Sequence, residues 1–402
     1  MKETEGNEVE EVRGGGRGGR KWWILVVAVL VVGAIAAGVF CFRGPGVGEQ
    51  LRALAGQSGV YREEVRGPGW YVKLADKYQL PALKRPVWFT SRTVSDDDMA
   101  VVGRANTLRR LGLARSDISD AGMAHLEGLS KLQSVFLDKT KIGDAGVAHL
   151  SELAELRTLS LAGTKVSDAG IVHLKGLTKL EELSLDGTSV GDAGLAHLNE
   201  LTELRELHLF ETKVSDVGMA HLKSLRKLQH LFLDHTEIGD VGVSYLGGLT
   251  ELRTLQLPGT KVSDSGLAHL RGLTKMKTLI LHNTGIGDAG LAHLSGLTEV
   301  RALHLHGTKV TDAGLAHLKK LKALQSLGLR DTDVTDEGLA YLSGFGELYY
   351  LDLSGTRVTD AGLAHLKSLK GLTYLGLSGT GVTSEGVADF KSAIPNAQVV
   401  FK

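Results

Sequence analysis

The chain has 402 residues and balances 46 basic against 46 acidic side chains, so its formal net charge is zero. Without an overall field of either sign, charge composition does not indicate nucleic acid or a strongly acidic partner. The single cysteine, Cys41, excludes an intramolecular disulfide framework and a cysteine-based zinc site. Stability must therefore come from packing.

The N-terminal residues predict a membrane anchor. Residues 1–21 are polar and too poor in apolar side chains to fold, which predicts a disordered cytoplasmic tail. Residues 22–42 carry no charge, and 21 residues at about 1.5 Å each span the hydrocarbon core of about 30 Å. We predict a single-pass transmembrane helix, a signal-anchor with the pair Trp22 and Trp23 at the interface.

Topology follows from the cations that precede this segment, namely Arg13, Arg17, Arg20 and Lys21. The positive-inside rule places the N-terminus in the cytoplasm and the rest of the chain on the extracytoplasmic side of the cell membrane. A cleavable signal peptide is the alternative, because 34–36 reads Ala-Ile-Ala. Against cleavage, the apolar run continues beyond that site. A lipid anchor at Cys41 is disfavoured by the bulky preceding residue.

Residues 43–107 predict a stalk and an N-terminal cap. We expect helices at 49–55 and 71–78 and a strand at 87–89, and residues 94–96 resemble the repeat that follows. From residue 108 the chain repeats itself every 24 residues through to a last predicted strand at 397–401. The register is marked by one hydroxyl residue per unit: Ser116, Thr140, Thr164, Thr188, Thr212, Thr236, Thr260, Thr284, Thr308, Thr332, Thr356 and Thr380.

One unit shows how each repeat should fold. Residues 156–179 read LRTLSLAGTKVSDAGIVHLKGLTK. Its alternating leucines predict a short strand, Ser167 is a predicted helix N-cap, and the apolar spacing of three from Ile171 gives the helix a buried stripe. The glycine that recurs at Gly170 is explained by close packing between adjacent units. A unit this small cannot bury its leucines alone, so the units must stack.

The unit resembles the leucine-rich repeat L-x-x-L-x-L-x-x-N/C-x-L, with threonine in the Asn/Cys position. The similarity is greatest to ribonuclease-inhibitor-like repeats of the bacterial T-x-V-x-D-x-G-L-x-x-L type. The resemblance implies an α/β leucine-rich-repeat solenoid, or horseshoe, of about twelve 24-residue repeats over 108–402, here with an N-terminal transmembrane helix. Threonine offers fewer hydrogen-bonding atoms than asparagine, so we expect a thinner hydrogen-bond ladder.

Most of the 15 histidines occupy one helical position of the repeat. Packed helices lie about 10 Å apart, too far for neighbouring side chains to share an ion bound at about 2 Å per ligand. This row is therefore predicted to be structural: His125, His149, His173, His197, His221, His269, His293, His317 and His365.

The strand positions that should face the concave surface vary from unit to unit, unlike the rest of the repeat. Aromatic, apolar, acidic and histidine side chains there resemble the anchors of an interface. We predict a partner-binding face, with neutral variation of a solvated surface as the alternative. Its residues are Glu206, His208, Phe210, His230, Phe232, Asp234, Ile280, His282, His304 and His306.

Metal and catalytic chemistry receive little support from the sequence. His282, His304 and His306 are placed where three imidazoles could converge, but no carboxylate is obviously placed to orient them, and no metal site or cofactor is assigned. No catalytic motif is present, so we predict no enzyme and no catalytic residue. We expect a protein partner, with a cell-wall glycan as the alternative ligand, a membrane contact through 22–42, and no nucleic acid. A structural or adhesive spacer is the rival function.

Overall fold

The computed structural model describes residues 47–55, 60–64 and 85–401. The predicted tail at 1–21, the predicted membrane segment at 22–42 and the predicted helix at 71–78 lie outside these residues. Within them no helix is long and apolar enough to cross a membrane. The longest has ten residues, Ser384–Ala393, or about 15 Å against a core of about 30 Å. The predicted fold class is corrected accordingly: the solenoid is confirmed, and no transmembrane helix is found among the described residues.

Fifteen strands form one sheet in the described part of the chain, in strict sequence order. They are β1 Val60–Glu64, β2 Arg85–Thr90, β3 Arg110–Gly112, β4 Ser134–Phe136, β5 Thr158–Ser160, β6 Glu182–Ser184, β7 Glu206–His208, β8 His230–Phe232, β9 Thr254–Gln256, β10 Thr278–Ile280, β11 Ala302–His304, β12 Ser326–Gly328, β13 Tyr350–Asp352, β14 Tyr374–Gly376 and β15 Gln398–Val400.

The sheet is parallel except at its start, where β1 pairs antiparallel with β2. Neighbouring repeat strands pair with a constant offset of 24 residues, as in Leu183 with Leu207. The strands β3 to β14 correspond to the twelve predicted units, and β2 and β15 extend the stack at its two ends. The strands predicted at 87–89 and 397–401 are therefore confirmed, whereas β1 was not predicted.

Short helices return the chain from each strand to the next. The α-helices are α1 Val47–Ala55, α2 Asp96–Val102, α3 Asp120–Met123, α4 Asp144–Ala148, α5 Asp168–Ile171, α6 Asp192–Leu195, α7 Asp216–Met219, α8 Asp240–Ser244, α9 Asp264–Leu267, α10 Asp288–Ala292, α11 Asp312–His317, α12 Asp336–Leu339, α13 Asp360–Leu366 and α14 Ser384–Ala393. Many continue as 3₁₀ turns: Ala124–Leu126, Val172–Leu174, Ala196–Leu198, Ala220–Ser224, Tyr245–Gly248, Ala268–Leu270, Leu318–Lys320 and Ala340–Leu342.

The change from α to 3₁₀ geometry explains the apolar spacing of three in the sequence. A 3₁₀ helix has three residues per turn, so side chains three apart lie on one face. In the coil that begins at β5, Ile171, Leu174 and Leu177 are all fully buried. They pack with the strand leucines into one core that extends through the whole stack.

The threonine row contributes hydrogen bonds within coils. Each hydroxyl of this row donates to the backbone carbonyl three residues earlier, at 2.5–2.7 Å, as Thr260 does to Leu257. All of these side chains except the part-buried Thr380 are buried, and the bond satisfies each hydroxyl, whose burial without a partner would cost free energy. Each threonine hydroxyl thus makes one bond inside its own coil, in agreement with the thin ladder that we predict.

Neighbouring coils are joined by the aspartate at the start of each helix from α2 to α13. Asp144 accepts hydrogen bonds from the backbone N–H of Ser167, at 2.7 Å, and from its hydroxyl, at 2.6 Å. Where the next coil has glycine at this position, the backbone bond alone persists, as from Gly143 to Asp120 at 2.6 Å. Each aspartate therefore also caps the helix of the following coil.

Candidate functional site

The concave face is the sheet surface opposite the helices. In most repeat strands the middle residue is buried against the helices, while the first residue and most of the third are partly accessible on the other surface, as period-two alternation requires. The residue two positions after each strand lies on the same side. All ten residues predicted for partner binding occupy these positions, and all are half-buried.

One group of them forms what we call the aromatic–acidic patch, comprising Asp186, Glu206, His208, Phe210, Phe232, Asp234 and His235. The His208 ring stacks on Phe232, with centroids 4.1 Å apart and planes at 15°. Its Nε2 lies 2.8 Å from Glu206 Oε1. Phe210 meets the His235 ring edge-on, with centroids 5.7 Å apart. Neighbouring coils thus hold one another's aromatic rings in place on this face.

Two half-buried carboxylates flank Phe210 in register, Asp186 one coil before it and Asp234 one coil after. Burial raises the pKa of Asp186, although the backbone N–H of Phe210 donates to it at 2.8 Å and His208 approaches to 3.7 Å. Burial also raises the pKa of Asp234, and the charge of Asp186 adds to the effect. Within the described residues, neither carboxylate pairs with a lysine or an arginine.

The predicted partner-binding residues do not include Asp186 and His235, which also belong to this patch. The sequence does contain an indication of Asp186, because Asp186, Phe210 and Asp234 share one position in three consecutive coils. His235 has a positive φ of 54°, at a turn position that glycine occupies in six of the twelve coils. That left-handed backbone turns its side chain toward Phe210.

The predicted residues form two groups instead of one continuous site. His230 hydrogen-bonds to the Thr254 hydroxyl at 2.9 Å and borders the patch. Strand β9, which ends at Gln256, lies between the patch and a histidine cluster made of His282, His304 and His306. Ile280 pairs in register with His304 at the edge of that cluster.

The histidine cluster brings three imidazoles together. The rings of His282 and His306 are stacked with centroids 4.2 Å apart, and each lies 5.5–5.6 Å from His304. Rings also follow on later strands, where Tyr350 stacks on Tyr374 at 4.7 Å. The two tyrosines were not predicted, although their shared register position is visible in the sequence.

The helix side of the same coils carries a second exposed apolar surface, which is an alternative place for a partner to bind. Phe210 and Phe232 of the patch are half-buried, whereas Val217 and Val241, in α7 and α8, are exposed to 68% and 59%. They follow one another in register on neighbouring coils. This second apolar surface was not predicted and provides a control for experiments on the concave face.

Comparisons with known proteins agree with the repeat architecture. A leucine-rich-repeat sequence family matches residues 224–247. No curated protein gives a significant sequence match. The chain is similar in fold to an internalin, InlF of Listeria monocytogenes, with 24% identity and a TM-score of 0.66 over 81% of this chain and 92% of that one.

Two further solved structures share the fold. A leucine-rich-repeat protein of Leptospira interrogans has 18% identity and a TM-score of 0.58, over 75% of this chain and 80% of that one. The PEPR1–AtPEP1 structure has 16% identity and a TM-score of 0.51, over 79% and 48%. At these identities the comparisons concern the fold. Together with the 24-residue register and the parallel sheet, they show that the chain is a repeat protein of the leucine-rich-repeat type.

Proposed function

We propose that the protein binds a protein partner through the aromatic–acidic patch of its concave face. The observation that carries this proposal is the pair of half-buried carboxylates, Asp186 and Asp234, beside Phe210. A half-buried carboxylate that pairs with no lysine or arginine costs free energy to ionise, and burial raises the pKa of both groups. A basic side chain from a partner would offset that cost.

The rings beside the carboxylates suit the same kind of ligand. Phe232 and Phe210 present aromatic surface next to negative charge, and a cation over an aromatic face gains about 0.5–2 kcal/mol. Aromatic anchors surrounded by polar groups are typical of interface hot spots. We therefore infer a partner that inserts a lysine or arginine between the carboxylates. The PEPR1–AtPEP1 structure, which shares the fold, is consistent with a protein ligand.

The proposed role is binding without catalysis. A spacer function predicts that substitutions on the concave face have no effect. The distance that a spacer spans is set by the length of the stack and does not depend on which side chains line that face. A cell-wall glycan stays the alternative ligand. The extracytoplasmic placement of the repeats also stays a prediction.

Affinity capture with the full chain tests the proposal. The parent bait is compared with Phe210→Glu/Phe232→Glu, which places two charges in the patch. We expect a partner that the parent captures and that this variant captures at least tenfold less, since hot-spot residues each contribute about 2 kcal/mol or more. Circular dichroism establishes that both baits are folded.

The matched control is Val217→Glu/Val241→Glu, which adds the same charges to the helix side of the same coils. It should capture the partner as the parent does. Equal capture by all three baits would favour the spacer, and loss in the valine variant alone would move the binding site to the helix side.

A further inference from the structure

The histidine cluster is produced by the register of two adjacent strands. Strand β10 pairs with β11, and His282 and His306 occupy the same position in consecutive coils. His304 and His306 are two residues apart and so lie on the same side of the sheet. One ring nitrogen from each histidine lies within 4.8 Å of the others, and the described part of the chain contains no other such group of three metal-ligating side chains.

A glycine leaves space for this arrangement. Gly328, at the end of β12, lies beside His304 in register. A Cβ atom at this position would overlap the His306 imidazole. The ring therefore occupies the place of a missing side chain, which holds it over the sheet and close to its two neighbours.

The hydrogen bonding of the cluster is incomplete. The Nε2 atoms of His282 and His306 are buried and have no hydrogen-bond partner. His304 differs, because its Nε2 lies 2.8 Å from the Ser326 hydroxyl. When that nitrogen donates to the hydroxyl, Nδ1 is left with its lone pair, as in second-shell bonds that orient metal-binding histidines. Packing alone gives no reason for two partnerless buried nitrogens in one cluster.

Neutral imidazoles are required for metal binding, and the surroundings favour them. Burial, followed by the neighbouring imidazoles, lowers the pKa of His282 to about 4, and burial together with His306 lowers the pKa of His304 to about 4. Burial also lowers the pKa of His306, although Asp352 opposes the shift. At neutral pH the three rings therefore present lone pairs without first losing protons.

We propose that His282, His304 and His306 form a three-histidine site for a divalent transition-metal ion, with zinc as the first candidate. Imidazole suits zinc, copper and nickel, whereas calcium and magnesium require oxygen ligands. Zinc–nitrogen bonds of about 2.0–2.1 Å in a tetrahedron place the nitrogens about 3.3 Å apart. Side-chain rotation of these half-buried rings must close the remaining distance. A fourth position is left for water or for a partner's side chain.

Zinc titration of the full chain, stripped of metal and held at pH 7.5, tests the site against a chromophoric chelator. We expect one high-affinity ion per chain that His282→Ala/His304→Ala/His306→Ala does not bind. Single alanine variants of the cluster should bind at least tenfold more weakly. The control His230→Ala removes a concave-face histidine outside the cluster and should bind as the parent does. Cobalt(II) provides an independent signal, because its visible spectrum reports coordination geometry.

Gly328→Ala is a second test of the metal site, and it keeps all three histidines. It should weaken zinc binding by displacing the His306 ring, while circular dichroism remains that of the parent. The proposal is overturned if the parent binds zinc no more tightly than the triple variant, or if His230→Ala weakens binding as much as a cluster variant. Because no partner is needed, the result is independent of the proposed protein-binding function.

Discussion

Gly242 shows why the sequence repeats a glycine near the start of each helix from α3 to α14. Its N–H donates to Asp216 Oδ1 of the preceding coil at 2.9 Å, and an added Cβ would lie 2.5 Å from that oxygen and 2.9 Å from a methyl group of Ile238. The prediction of close packing between coils is thereby confirmed at this position. The glycine is retained because one coil passes directly against the next, in spite of the helix propensity that it costs.

This contact leads to a stability prediction. Gly242→Ala should lower the free energy of unfolding by about 2 kcal/mol, because the methyl group forces the two coils apart. The matched control is Gly248→Ala in the same coil, where an added Cβ meets nothing within 4 Å. It should be neutral or slightly stabilising. Urea denaturation of both variants checks the pair, and equal effects would refute the packing explanation.

The carboxylates of the patch predict a separation of stability from binding. Burial raises the pKa of Asp234, so its charged form costs folding free energy at neutral pH. Asp234→Asn removes that charge and should raise the free energy of unfolding, or leave it unchanged, while lowering partner affinity at least tenfold. Denaturation and binding assays at pH 7 check the two effects. A destabilised variant with undiminished binding would argue for a structural carboxylate.

At the scale of elements, the aspartates join one helix to the next across the coils. Asp240 accepts from the backbone N–H of Ser263 at 2.7 Å and from the hydroxyls of Ser263 and Ser265, each at 2.6 Å. Burial opposes its ionisation, but these hydrogen bonds outweigh burial and lower its pKa. The carboxylate therefore stabilises the folded chain at any pH above its unfolded pKa.

Removing this carboxylate should destabilise the stack. Asp240→Ala is expected to cost about 2 kcal/mol at pH 7, because several charge-assisted bonds are lost. Asp240→Asn keeps one acceptor oxygen and should cost less. The penalty should shrink as the pH falls from about 4, the pKa of an unfolded aspartate, through the lower pKa of Asp240 in the folded chain. Thermal unfolding at pH 7 and at a series of values from about pH 4 down to about pH 2 provides the measurement, and a penalty that does not depend on pH would contradict this assignment.

The sequence predicted the elements far better than the bonds between them. The alternating leucines of a single unit predict its strand and its buried side chains, and the 24-residue recurrence extends that prediction to every unit. The role of Asp240 could not be predicted in this way, because its partners lie 23 and 25 residues ahead and become neighbours only once the coils stack. Strand β1 was missed because its five residues, VYREE, lie in a polar stretch without a clear strand pattern.

At the scale of the molecule, the solenoid separates constant positions from variable ones. Leucine, threonine, aspartate and glycine recur because each coil must match its neighbour. The side chains of the concave face vary from coil to coil, and this is the surface to which we assign the proposed binding function. The face itself was predictable, but its division into two groups was not, since β9 interrupts it and ring stacking such as that of His208 on Phe232 depends on side-chain conformation.

The central claim, that the concave face is the partner-binding surface, is tested most directly by site-specific photo-crosslinking. A photoreactive residue is placed in the full chain either at position 232 on the concave face or at position 241 on the helix side of the same coil, and each protein is exposed to the same extract. We expect a discrete crosslinked partner from position 232 and none from position 241. The same partner from both positions, or a partner from position 241 alone, would contradict it.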